Sequence, residues 1–356
     1  MKKSLLIAAL VLSVLTVTRQ AGAVGFHHFE HSALSTGMGN ARTALWDDAS
    51  SLFFNPAAIT ELRGFQLSIG DTLFVPKGGY TPLPEDERTH GDLDGVNSSN
   101  GDERMLYPFH IFFTAETTSW LTLGISITNP FGLGSFWPED WDGRFISTQM
   151  MLRTFFFQPA AAVSISRLLK LPDDILISFG IGVNVVYGDI MSRRQVDLSL
   201  FSVEGEAEAT MKLDGTGHGF GANYALLVAW KPWFSIGFSA RSNVHMNFSG
   251  DAGFSNIDPE IAEMMEIIGI ILPESTGFNS SINLPWNMNL GIAFHGLKKF
   301  TFAVDLYIAL WESYDELRVH FDCVDEGTCY GGLNDDAVFP KNWKKGYQIC
   351  AGAEYR

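Results

Sequence analysis

The run 175–187 reads I-L-I-S-F-G-I-G-V-N-V-V-Y. Every odd position from Ile175 to Tyr187 is large and apolar, and the even ones include Ser178, Gly180, Gly182 and Asn184. A period of two gives an extended strand one greasy face and one small or polar face. The run is longer than the five or six residues of an ordinary globular strand and long enough for a tilted strand to cross a bilayer, roughly 9–11 residues. The pattern recurs around Leu121–Ile127, Phe220–Val228, Phe234–Met246, Met288–Phe294 and Phe300–Leu310. Connections between these runs are short at 116–119, 168–174, 231–232 and 296–298, and long at 77–103, 130–150, 189–211, 249–283 and 316–344. A soluble sandwich also alternates, but its strands are shorter. Tight turns on one side and long loops on the other are the arrangement of an antiparallel transmembrane β-barrel. The most apolar remaining stretch, 261–272, carries Glu263 and Glu266, so helical spans are not expected.

The ends and the charge agree with export to an outer membrane. Lys2 and Lys3 precede an apolar core over 5–15 and the small-residue site Ala21-Gly22-Ala23, which defines a signal peptide over 1–23 and a mature start at Val24. The net charge is −16, with acids gathered in the long loops at 85–87, 92, 94, 139–140, 325–326 and 335–336. Acidic outer loops suit a solvated surface and argue against nucleic acid. Cys323 and Cys329 share one long loop and are expected to form a disulfide in an oxidising compartment; Cys350 lies in a strand-like run as a small hydrophobe.

Residues 24–63 have another texture. Gly37, Gly39 and Asn40 break the chain, Asp47 is placed to cap a short helix, and Pro56 stops one. Such a compact segment fits inside a barrel as a plug. G-M-G-N-A at 37–41 and W-D-D-A-S-S-L-F-F-N-P-A-A-I-T at 46–60 resemble the N-terminal hatch of the FadL-type outer-membrane transporters, with Asn55, Pro56 and Ala57 as the most specific mark. W-D-G-R at 141–144, Gln158-Pro159-Ala160, S-A-R-S-N-V at 239–244, L-P-W at 284–286 and N-W-K-K-G-Y at 342–347 extend the resemblance over the whole mature chain. It implies a fourteen-stranded barrel over 64–356 with a hatch in its lumen, and an apolar route for long-chain fatty acids or aromatic hydrocarbons with a lateral opening beside the third strand. Only about ten strands are legible here, and no terminal aromatic closes the chain, so a C-terminally truncated barrel is expected.

Strand parity places Arg241, His245, Asn289, His295 and Asp305 on the lumen side, where charge is tolerated. Arg241 is a candidate for a carboxylate headgroup, or for an ion pair with Asp305 or a hatch acid. Phe26, Phe29, Phe53 and Phe54 line a pocket or pack the hatch against the wall. Gly124, Asn129 and Pro130 are candidates for the lateral opening, although Pro130 can equally begin the loop. The segment 258–272 reads as an amphipathic loop helix with Ile261, Met264, Met265, Ile268 and Leu272 on one face, either capturing ligand or lying on the rim.

His27, His28, Glu30 and His31 match no metal spacing, so no metal or other cofactor is expected. Neither a G-x-S-x-G elbow nor a nucleophile–base set is legible. The expectation is a non-enzymatic, monomeric transporter in the outer membrane. Its partners would be hydrophobic small molecules, the surrounding lipid and lipopolysaccharide. A lipid-acting barrel enzyme and a structural or adhesive barrel are the alternatives.

Overall fold

The structure, a computed structural model, describes residues 25–82, 98–202, 207–297, 299–323 and 336–355. The expected signal peptide, Cys329 and most of the loop acids lie outside these ranges.

Ten antiparallel strands form one curved wall, each hydrogen-bonded to the next: β1 (Phe65–Asp71), β2 (Phe109–Thr118), β3 (Leu121–Thr128), β4 (Gln149–Ser164), β5 (Ile175–Asp197), β6 (Glu208–Trp230), β7 (Phe234–Arg241), β8 (Asn287–Leu297), β9 (Phe300–Ala309) and β10 (Gly346–Tyr355). β1 and β10 stand at the two ends of this order and do not pair with each other, so the wall is not closed. The predicted parity holds in β5: Phe179, Ile181, Val183, Val185 and Tyr187 face outward while Ser178, Gly180, Gly182 and Asn184 are buried inside. Trp120, Trp230 and Trp233 are exposed at the short-turn end, where an aromatic belt meets the bilayer surface.

Two corrections concern the other end. The connection expected over 189–211 is largely strand, since β5 and β6 stay paired from Ile175↔Trp230 to Asp197↔Glu208. Strands Val244–Ser255 and Thr276–Leu284 likewise shorten the loop expected over 249–283. Above the lipid no apolar face is required, so the sequence loses its period while the backbone ladder continues.

The second correction is His245. Between Arg241↔Asn223 and Asn247↔His218 the register slips by one residue. A one-residue slip exchanges the two faces of a strand. Val244 and Met246 therefore turn inward and are buried, and His245 points outward, with its Nδ1 2.6 Å from Asn283 Oδ1.

Residues 26–62 fill the curve of the wall. Ser32 caps a short helix, Ala33–Gly37, accepting from Ser35 N at 2.9 Å. Asp47 caps no helix; it pairs with Arg42 at 2.7 Å, and Asp48 takes the turn before Ser51–Phe54 by accepting from Ser50 Oγ at 2.6 Å. Asn55 accepts from Ala57 N (3.0 Å) and donates to Thr43 O (2.7 Å) and Leu226 O (3.2 Å), joining hatch to hatch and hatch to wall. The fit requires glycine in the wall: a Cβ on Gly180 would lie 2.5 Å from Ala57 N, and one on Gly237 1.9 Å from Thr43 O.

Further pins hold the hatch. Asp305 Oδ2 accepts from the backbone N–H groups of Arg42 and Thr43, both at 2.7 Å. Ser235 and Ser239 donate to Ala44 O and Phe54 O, each at 2.7 Å. Glu61, nearly buried, pairs with both Arg167 and Lys231 at the short-turn end.

Candidate ligand site

Directly above the hatch turn at Phe53–Pro56, five successive strands each send one polar side chain inward: Gln158 from β4, Asn184 from β5, Asn223 from β6, Arg241 from β7 and Asn289 from β8. Asn184 donates to Asn223 Oδ1 (2.7 Å) and Asn223 to Gln158 Oε1 (2.8 Å). Arg241 Nε donates to the same Asn223 oxygen (3.3 Å), and Asn289 donates to Ser239 (3.2 Å). The partners lie on neighbouring strands or, for Gln158 and Asn223, one strand apart across β5, so the band follows from wall register and is invisible in any single strand.

Arg241 is the charged member. It is buried, and its guanidinium lies over the Phe53 ring at 4.6 Å and near that of Phe156 at 5.7 Å. Its partners among the described residues are Asn223 and these rings; none is a carboxylate. The expected alternative, a pair with Asp305, is not formed, because Asp305 is occupied by the hatch backbone. A buried cation without an anion is costly unless something compensates it. A void of about 10 Å3, room for roughly one water, is lined by Arg241 together with His27, Phe29, Phe53, Asn287 and Asn289.

Above this band the lumen is apolar. Phe26, Phe131, Leu152, Phe156, Val186, Val244, Met246 and Trp311 belong to one continuous cluster. The arm bearing Phe26 is held by Gly132 N donating to Phe26 O (3.1 Å) and His28 N donating to Pro130 O (2.7 Å). Phe26 lies 4.7 Å from the Trp311 ring and within reach of Phe131, Tyr314 and Trp343.

The expected site residues therefore separate. Phe26 joins the upper cluster, and Phe29 and Phe53 reach the void. Phe54 packs with Leu52, Ile59 and Phe112 between hatch and wall. His295 contacts Ser235 (3.0 Å) and the Trp46 ring at the short-turn end, far along β8 from Asn287.

Gly124 and Asn129 are engaged by neighbouring elements, and Pro130 O accepts from His28 N at 2.7 Å. β3 pairs along 121–128 with β4, Leu52 packs on Gly124, and Asn129 donates to Thr154 O at 2.8 Å. Within the wall the β4–β5 ladder is interrupted at Gln158 and Pro159, where proline has no N–H to give. The loop helix is shorter than expected, Pro259–Ile267 capped by Asp258; Ile261 and Met265 are buried, while Met264 and Ile268 face out. Cys323 is buried and disulfide-bonded, and Cys350 is a free, buried thiol.

Residues that the sequence left unassigned complete the site. Asn184, Asn223 and Gln158 carried the right signal, a polar residue at an inward position, but not their mutual register. His27 stacks on Phe131 at 4.6 Å and lines the void. As a residue it is partly exposed, yet both its ring nitrogens are shut off from solvent without hydrogen-bond partners, as are those of buried His31. Burial holds both imidazoles well below the usual histidine range; Arg241 nearby pushes the same way, as do His110 on His31 and the neighbouring hatch histidines. Both rings are therefore neutral at pH 7.

Comparison with known proteins agrees with this architecture. The family model for the outer membrane protein transport protein (OMPP1/FadL/TodX) matches residues 14–356. The long-chain fatty acid transport protein of Escherichia coli O6:H1 is 24% identical over 375 residues, covering 98% of this chain and 77% of that protein. Among solved structures, a Pseudomonas aeruginosa FadL homologue superposes with a TM-score of 0.70 at 15% identity, over 93% of this chain and 78% of its own. The Ralstonia pickettii toluene transporter TbuX gives 0.68 at 16% identity, over 92% and 83%. With a matching wall, hatch and family model across its length, this chain belongs to the OMPP1/FadL/TodX family of outer membrane transport proteins.

Proposed function

We propose that this protein passes hydrophobic molecules with an anionic headgroup, long-chain fatty acids foremost, across the outer membrane without an energy source of its own. The observation that carries this is Arg241: a buried guanidinium without a carboxylate partner, set beneath an apolar chamber. An alkyl chain entering the chamber would displace side chains packed as one apolar cluster. Its carboxylate would accept charge-assisted hydrogen bonds from the guanidinium below. The two relatives named for their cargo carry a long-chain fatty acid and toluene; the buried cation favours the first. Operation as a monomer, and a lateral exit where the β4–β5 ladder is interrupted, belong to the same proposal.

Arg241→Ala is expected to weaken decanoate binding about 10- to 100-fold, the value of a charged hydrogen bond of roughly 1.5–3 kcal/mol, and to leave toluene binding unchanged. Equal losses for both ligands, measured by calorimetry on the protein in detergent, would reject the headgroup assignment.

A further inference from the structure

The void beside Arg241 has a second wall, the imidazole of His27. His27 enters from the N-terminal arm, fixed by the His27↔Phe131 bridge and by its stacking on Phe131. Its ring nitrogens are enclosed and unpartnered. A buried polar atom without a partner is costly, so it persists where something else offsets the cost or where a ligand completes it. The charged and titratable groups around it are Arg241 on the wall and His28 and His31 on its own segment. Tyr307 packs behind Phe29, and the Glu30 carboxylate is turned away to Phe29 N (3.0 Å) and Asn40 Nδ2 (3.2 Å). The ring therefore faces the Arg241 cation, and the acid beside it is engaged elsewhere.

We propose that His27 is the second half of the headgroup site, and that an anion binding there draws one proton from solution onto His27. This rests on the Arg241 assignment above. An anion entering the void cancels the field of Arg241 that opposes a charge on the imidazole, and supplies the acceptor that the ring lacks. The imidazole takes up H+ from water, and the new N–H donates to one anionic oxygen while the guanidinium donates to another. No bond to the ligand forms or breaks. The two-point grip discriminates an anion from an alcohol of equal length, since the alcohol neither offsets Arg241 nor favours the imidazolium. His31 takes no part, because its ring faces Phe53 (4.3 Å) and His110 (6.3 Å) and not the void.

The test uses decanesulfonate, whose head stays ionised at any working pH, so that exchanged protons come from the protein. Calorimetry at pH 7 in buffers of different ionisation enthalpy counts them. The intact protein is expected to take up close to one proton, and its affinity to rise up to tenfold for each unit of pH lowered below neutrality. His27→Gln should still bind through Arg241, with no proton uptake and a flat pH profile; His31→Gln should keep both. Binding of decanesulfonate to the intact protein without proton uptake overturns the role of His27, as does uptake abolished by His31→Gln alone. Decanesulfonate bound no better than decanol is a separate outcome and sinks the Arg241 assignment itself. The measurement on the intact chain decides the matter even if the His27 variant does not fold.

Discussion

The two halves of the lumen are filled by different means. In the half nearer the short turns, hatch and wall meet through directed hydrogen bonds: Asp305 to two backbone N–H groups, Asn55 to two carbonyls, Ser235 and Ser239 to two more, and Glu61 to two cations. In the other half Phe26, Phe131, Phe156, Val244, Met246 and Trp311 pack as one cluster of apolar side chains. Directed bonds accept one geometry and lose most of their value when bent. Apolar contacts are non-directional and re-form around a new shape. One half is built to stay put and the other to be rearranged, and the polar band at Arg241 marks the border.

The comparison can be broken at several points. Asp305→Ala orphans two hatch N–H groups and is expected to cost about 3–5 kcal/mol, two charged hydrogen bonds' worth, read as a lower urea midpoint for the protein in lipid vesicles. A loss under about 1 kcal/mol would mean that the hatch is not pinned there. A smaller effect is expected from acid. His27 and His31 are held neutral by burial, so their folded-state values lie below the unfolded one. Stability from this source is then complete above about pH 6.5 and falls as pH drops through that point, by at most about 1.4 kcal/mol per pH unit for each ring. His31→Gln should flatten that slope; an unchanged slope would show that the slope comes from other groups. The smallest effect is expected in the rearrangeable half. Phe26→Ala should cost the wall less than about 1 kcal/mol, below the usual 3–5 for a buried aromatic, because Phe131, Tyr314, Trp311 and Trp343 surround the vacated space. A full-sized loss would make the upper half as rigid as the lower.

Much of the wall was legible in the sequence because lipid enforces a strict period: Ile175 to Tyr187 could be assigned inside and outside from spacing alone. The hatch was legible through the Asn55-Pro56-Ala57 motif. Legibility failed where lipid stopped enforcing the pattern. Met191 to Asp197 continue β5 without an apolar face, so their sequence reads as loop. His245 was misassigned because one extra residue before Val244 flips the faces, and no composition signal marks such a slip. The band of Gln158, Asn184, Asn223 and Asn289 stayed hidden because register between strands is a property of the folded sheet. In the sequence His27 suggests nothing beyond a metal ligand, since a lone imidazole shows its value only beside Arg241.

β5 and β6 each run for 23 residues. At about 3.3 Å per residue and a tilt near 40°, such strands rise roughly 55 Å, against a hydrocarbon layer of about 30 Å. The surplus lifts the mouth, and the capped helix Pro259–Ile267 with it, well clear of the lipid headgroups. On the function proposed here, a greasy solute arriving from the medium meets this raised protein surface first.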